Sequence, residues 1–302
     1  MTALTYRSRR RRRTPAAIGW STLKGVVLAA ACAVVLIPFV MVISTSLADP
    51  QQVNAAGGFV LWPEHPSFAA YEAILSGGTV TRAVLVSIGV TLVGTAVSLA
   101  CTTTLAYALA RPGSFAHKPL LLIVLFTLLF SPGMIPTYLV VAQLGLIDSW
   151  WSLILPVAVN AFNVIIMRAF FLDLPQDLFE SARLDGAGEV RIFLRIVLPL
   201  SGAVIAVVGL FYAVAYWNNF FNALLYLNDT AMWPLQLILR TYVINGSPLG
   251  GDALGAGGEA TQLPQQSLQM AILVLSIVPI LLVYPFLQRH FAKGVLVGAV
   301  KG

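Results

Sequence analysis

The sequence predicts an all-α, polytopic membrane protein with six membrane-crossing helices. Three observations carry that prediction. First, 58% of the 302 residues are hydrophobic and only 10% are charged, whereas globular chains carry about 25% charged residues. Second, the apolar residues gather in runs long enough for the roughly 20 residues that a helix needs to cross a bilayer. Third, of 18 Lys and Arg only Arg82 and Arg240 fall in the odd-numbered connections. Six spans put both termini on one side, and the excess of positive charge makes that side the cytoplasm.

In order along the chain, residues 1–24 form a polar tail with Arg7 and Arg9 to Arg13. Six arginines allow a nucleic-acid or targeting reading, but beside a membrane helix they read as a cytoplasmic tail. The first span covers 25–47. Ser46-Leu47-Ala48 resembles a small-residue cleavage site, yet the apolar run exceeds the 7–15 residues usual for a signal peptide, so an uncleaved anchor is expected. Residues 48–81 form an extracytoplasmic loop. Residues 82–290 hold five more helices, at about 82–110, 118–141, 150–172, 196–225 and 268–288. Pro132 and Pro136 are expected to kink the third span. The long connection 226–267 contains the glycine-rich section Gly246–Gly258, which reads as mobile, and 291–302 form a cytoplasmic tail. Trp62, Trp150, Trp151, Trp217 and Trp233 fall near the outer interface and Trp20 near the inner one, as in an aromatic belt. Cys32 and Cys101 lie in apolar runs and are expected to be small buried hydrophobes, not a disulfide.

Between the fourth and fifth spans lies the only long charged segment, residues 175–199, with Arg183, Arg191 and Arg195 against Asp177, Glu180, Asp185 and Glu189. Pro175 can open a helix, and acids suit its first turns. Asp185-Gly186-Ala187-Gly188 breaks it. A second short helix follows, with Val190, Phe193, Leu194 and Val197 spaced for one apolar face. The shape is a helix–glycine–helix elbow at a membrane surface, and spacing alone does not name what docks on it.

Within the elbow, Glu180-Ser181-Ala182, three residues, Gly186, nine residues, then Ile196-Val197-Leu198-Pro199 resembles the E-A-A, x3, G, x9, I-x-L-P signature of the permease subunits of binding-protein-dependent ABC importers. Ser181 stands where the signature has its first Ala. The chain is similar over most of its length to maltose-type sugar permeases, in their oligosaccharide branch. Residues 132–138, 217–221, 233–236 and the terminal GAVKG carry that likeness. The resemblance implies a type I ABC importer permease fold. It implies that Glu180, Ser181, Ala182, Asp185, Gly186, Ile196, Leu198 and Pro199 form the docking and coupling segment for an ATP-hydrolysing subunit. The implied partners are a second, related permease chain, two ATPase subunits, an extracytoplasmic solute-binding protein and a sugar substrate, in a bacterial inner membrane. The tail from Lys293 onward resembles the family's carboxy terminus, which reaches toward the ATPases.

Polar residues inside the spans are the candidates for a solute pathway. Asn160 falls ten residues after Trp150, about 15 Å along a helix rising ~1.5 Å per residue. An amide at that depth needs a partner or a wet cavity; Asn163 shares the question. Asn218 and Asn222, four apart beside Trp217, would share a helical face and could meet sugar hydroxyls and C–H faces, although an interfacial belt accounts for them more simply. Arg168 sits near the cytoplasmic end of the fourth span, where it can snorkel to water.

No phosphate-cradling loop with its lysine is present, so the chain is not expected to hydrolyse ATP or bind a cofactor. His65, His117 and His290 are scattered and offer no metal site, and no paired carboxylates or nucleophile set suggests an enzyme. The expected function is the transmembrane subunit of an ATP-driven sugar or oligosaccharide importer. The rivals are a permease for a peptide or amino acid, an ion-coupled carrier, which would place ionisable groups at mid-membrane, and a scaffold without transport activity.

Overall fold

The structure is a computed structural model and describes residues 15–111, 113–114, 116–247, 249 and 263–299. The arginine run 7–13, positions 250–258 of the glycine-rich section and residues 300–302 lie outside these. The described residues are helical, with no strand beyond a single bridge between Ala48 and Pro66.

Three helices are long and apolar enough to cross a bilayer alone. α1 (Pro15–Leu47) and α4 (Gly78–Ala110) are 33 residues each, and the third, α14 (Gln265–Ala299), carries its apolar window over Gln265–Pro285. Between α1 and α4 lie two short surface helices, α2 (Pro50–Ala55) and α3 (Ala69–Leu75). The remaining predicted spans are broken, and each break has a local cause.

The expected kink in the third span is a complete interruption. α5 (His117–Leu129) and α6 (Met134–Gln143) are separate helices of 13 and 10 residues. Pro132 supplies no N–H between them, and Gly133 adopts φ +82°, a value that glycine takes readily. The fourth span begins as α7 (Trp151–Ile154), tightens into a 3-10 turn over Leu155–Val157 around Pro156, and restarts as α8 (Ala161–Leu172), bent by 53°. The elbow supplies α9 (Gln176–Leu184) and α10 (Glu189–Leu200). The fifth span therefore starts seven residues earlier than expected and turns through 82° at Ser201 before α11 (Gly202–Trp217). It breaks again at Asn218-Asn219 ahead of α12 (Phe220–Tyr226). α13 (Leu235–Ile244) is a further short apolar helix. Counting each bent pair as one span gives up to five crossings; α5 and α6 occupy the position of the third span expected from sequence.

α4 is the unbroken axis of the bundle, packed chiefly against α11 and α8. Lipid tails are as apolar as leucine, so helices in a membrane gain little from hiding leucine and associate through close backbone approach and hydrogen bonds. The α4–α11 contact has both. A Cβ on Gly209 would meet Leu99 Cδ1 at 3.1 Å, and one on Gly94 would lie inside the Tyr216 ring's contact distance. One core cluster unites α4, α8, α9, α10 and α11 around Leu109, Met167, Phe179, Ile192 and Val208. A second joins α3, α4, α13 and α14 around Ile74, Leu235 and Ile272. Cys32 and Cys101 are both exposed at the chain surface, contrary to the expected burial; apolar helix faces that would hide them in a soluble core point outward in a membrane protein.

Candidate functional site

The elbow is built from its backbone. α9 ends in a reciprocal turn: the Ala187 N–H donates to Ala182 O at 2.9 Å and the Gly186 N–H to Arg183 O at 3.0 Å. This is the Schellman termination, which requires a left-handed residue at the position Gly186 holds. Gly186 has φ +78°, and a Cβ there would meet nothing within 4 Å. The residue is thus required for its conformation and not for space. The spacing Ala182-x3-Gly186 is the spacing of that cap. Ser181 Oγ bonds back to Asp177 O at 2.8 Å, so serine is accommodated where alanine was expected. Glu180, Ser181, Asp185 and Gly186 are exposed and Ala182 is half-buried.

The far end of the motif makes the bend. Pro199 cannot donate to a carbonyl one turn back, and the helix ahead of it widens to π geometry over Phe193–Val197, a known source of kinks. Ile196 and Leu198 are half-buried while Pro199 is exposed. The expected apolar face of α10 is split. Ile192 and Val197 are buried, but Val190 and Leu194 point outward, 72% and 54% exposed, beside Leu184 at 89%. Periodicity identified apolar positions correctly but could not tell a core-facing side from an uncovered one.

The elbow is fastened to the end of α4. Glu189 accepts from Tyr107 Oη at 2.8 Å and from Arg183 at 3.1 and 3.2 Å. It pairs with Arg111 at 3.3 Å. Arg168 is half-buried, and its Nε donates to Leu109 O at 2.8 Å, satisfying a carbonyl that α4 leaves unpaired at its terminus.

In the middle of the bundle, two pairs of residues four apart face each other. Thr102 Oγ1 and Ser98 Oγ on α4 bond the hydroxyls of Tyr212 and Tyr216 on α11 at 2.7 and 2.8 Å. The tyrosines hold the break in the fourth span from the other side. The Asn160 N–H donates to Tyr212 Oη at 3.0 Å, and Tyr216 Oη donates to Ile154 O at 3.2 Å. Asn160 caps α8 through its side chain, accepting from the Asn163 N–H at 3.2 Å. Asn160 and Asn163 share a cavity of about 410 Å³ with Phe162, Phe211, Tyr212 and Tyr216, so the structure brings this pair to one site.

Asn218 and Asn222 do not share a helical face, because the helix stops between them. Asn218 Nδ2 bonds Val214 O at 2.9 Å, and the Asn222 N–H is capped by Asn219 Oδ1 at 3.3 Å. Trp217 is buried, with Nε1 donating to Ser276 O on α14 at 2.9 Å. At the end of the bundle away from the elbow, a cavity of about 650 Å³ is lined by Arg82, Trp150, Trp151 and Asp148 among others. The Asp148 carboxylate accepts from the Asn228 side chain, the Asn228 N–H and the Asp229 N–H, which together hold it below the usual carboxylate range. Sequence reading missed Tyr107, Arg111, Tyr212 and Tyr216 as site residues. Tyr212 and Tyr216 carried a signal in the four-residue spacing of polar side chains within an apolar helix; Arg111 did not, because its partners Phe179 and Glu189 are distant in sequence. Among the described residues no His, Cys, Asp and Glu group could hold a metal.

Residues 102–297 match the family described as binding-protein-dependent transport system inner membrane component. The chain is 49% identical to the polygalacturonan/rhamnogalacturonan transport system permease protein YtcP of Bacillus subtilis, over 88% of this chain and 93% of that protein. It is 32% identical to the arabinooligosaccharides transport system permease protein AraQ of Halalkalibacterium halodurans, over 72% of each chain. Among solved structures, a chain of a bacterial ABC transporter involved in the import of the acidic polysaccharide alginate superposes with a TM-score of 0.82 at 29% identity, covering 92% of this chain and 98% of that one.

Proposed function

The chain belongs to the family of binding-protein-dependent transport system inner membrane components, and from that membership we propose that it is the membrane-spanning subunit of an importer for a sugar or oligosaccharide, driven by separate ATPase subunits. The relatives named for polygalacturonan, rhamnogalacturonan and arabino-oligosaccharides support a carbohydrate solute over a peptide or amino acid. The elbow carries the reading: a rigid capped turn that presents Leu184, Val190 and Leu194 uncovered is suited to a groove on another protein. Glu180, Ser181, Ala182, Asp185 and Gly186 form its docking side, and Ile196, Leu198 and Pro199 turn the chain back into the bundle.

In this reading both termini and the elbow are cytoplasmic, in keeping with the distribution of Lys and Arg. Residues 1–24 and 291–302 are the tails, 48–81 an outer loop, and 82–290 the permease domain. A second, related permease completes the pathway, two ATPase copies bind the elbows, and a solute-binding protein docks on the outer loops. Closure of the ATPases displaces the elbows, and the bundle alternates between inward- and outward-facing states. Asn160 and Asn163 line the solute path, with the tyrosine hydroxyls beside them.

The test is co-purification and uptake. The tagged chain, co-expressed with its genomic neighbours and placed in vesicles, should retain an ATPase and a second permease and take up oligosaccharide only with ATP. Gly186→Pro and Glu180→Lys should insert normally but lose ATP-coupled uptake. Solute movement without ATP by the chain alone would overturn the proposal in favour of an ion-coupled carrier.

A further inference from the structure

Arg111 stands directly after α4, and its side chain is only 14% exposed. Its guanidinium lies 4.8 Å from the centre of the Tyr107 ring and 4.4 Å from that of Phe179. Tyr107 belongs to α4 and Phe179 to α9. The same guanidinium pairs with Glu189 of α10 at 3.3 Å and donates to Tyr107 Oη. Around it, Tyr107 stacks obliquely on Phe193 at 4.9 Å and meets Phe171 edge-on at 6.4 Å. One cation thus touches the terminus of α4 and both helices of the elbow. Arginine suits the position because its planar group stacks on rings and pairs with a carboxylate at once; an ammonium does only the second.

Such a fastening matters because the covalent exits of the elbow are compliant. On one side a three-residue turn, 173–175, leads from α8; on the other the chain bends by 82° at Ser201. The fourth and fifth spans are both interrupted, so neither is a stiff lever. α4 is continuous for 33 residues, and farther along it Thr102 and Ser98 hold the two tyrosines beside the Asn160 cavity. We propose that Arg111 is a positioning residue that makes the elbow and α4 move as one body. A displacement received at the elbow is thereby delivered along α4 to the tyrosine-held break at Asn160. This rests on the importer reading above.

A passive brace would have the same contacts, so the test must separate coupling from stability. The whole complex, with its ATPase and binding protein, is placed in vesicles, and ATP hydrolysis and solute uptake are measured together. Arg111→Ala should leave assembly and hydrolysis near normal, while solute moved per ATP falls at least about fivefold, the low end of coupling between sites. Arg111→Lys, which keeps the ion pair but not the stacking, should fall between. Arg111→Ala with Glu189→Gln should be no worse than Arg111→Ala alone, since both break one unit. Tyr107→Phe keeps the ring and removes the hydroxyl, and provides the reading if Arg111→Ala fails to assemble; it too should lower solute per ATP. If uptake and hydrolysis fall in proportion to lost complex, or the ratio is unchanged in all variants, the proposal is overturned. If the unaltered complex shows no ATP-driven uptake, the importer reading falls and takes the proposal with it.

Discussion

The Tyr216 ring occupies the place where a side chain on Gly94 would begin: a Cβ there would lie 2.8 Å from Tyr216 Cζ. That approach lets the tyrosine hydroxyl reach Ser98 on α4 and Ile154 at the start of the broken span. Gly94→Ala should therefore push α11 away and lower stability by ~1–3 kcal/mol, the usual cost of overpacking. Thermal unfolding in detergent checks this. Tyr216→Ala should partly relieve the substitution, and an unchanged Tm for Gly94→Ala would contradict the contact.

Tyr212→Phe removes the hydroxyl between Thr102 Oγ1 and the Asn160 N–H. Hydrogen bonds between membrane helices are worth about 0.6–2 kcal/mol each, so the protein should stay folded. The Asn160 amide should exchange faster with solvent, because it loses its partner at the rim of the cavity. Exchange equal to the unaltered protein would mean that Tyr212 does not hold the break.

At Gly186 the demand is conformational. An alanine in the left-handed region costs ~1–2 kcal/mol, so Gly186→Ala should raise exchange of the Ala187 amide, which closes the turn onto Ala182 O, by roughly five- to thirtyfold. Gly186→Asn should be milder, since asparagine tolerates this region. Equal effects of the two would argue against the cap as the reason for glycine.

Asp148 gives a pH dependence with a fixed sign. Bonds from Asn228 and Asp229 favour its ionised form and lower its folded-state pKa. Such a group stabilises the fold above the ordinary carboxylate value and loses that contribution as pH falls through the lower, folded value. The tie between Asp148 and residues 228–229 should persist from neutral pH down to about 4 and open only below. Exchange of the Asn228 amide measured against pH checks this, and opening between pH 7 and 5 would contradict it. Asp148→Asn should weaken the tie at neutral pH, because one of its two oxygens becomes a donor facing the Asn228 amide.

The elbow was legible in the sequence because its spacing is backbone chemistry. Ala182-x3-Gly186 is a helix cap and Leu198-Pro199 a kink, and neither depends on the rest of the chain. The membrane class was legible from composition. The breaks were less so. A hydrophobic run reads the same whether or not its helix is continuous, and Pro156 and Asn219 vanish into apolar averages. Arg111 was unreadable for another reason. Its partners Phe179 and Glu189 are distant in sequence, and only the fold brings them to Tyr107. Val190 and Leu194 stood at the right period, but a period fixes no direction.

From residue 23 to residue 43 no position of α1 is buried, and the helix rests mainly against α14. In water that bareness would be ruinous; among lipid tails it costs little, since they solvate leucine and valine as well as a protein interior does. The consequence is temporal. α1 is synthesised more than 200 residues ahead of α14, so it can settle in the bilayer before that neighbour exists and be joined by it later.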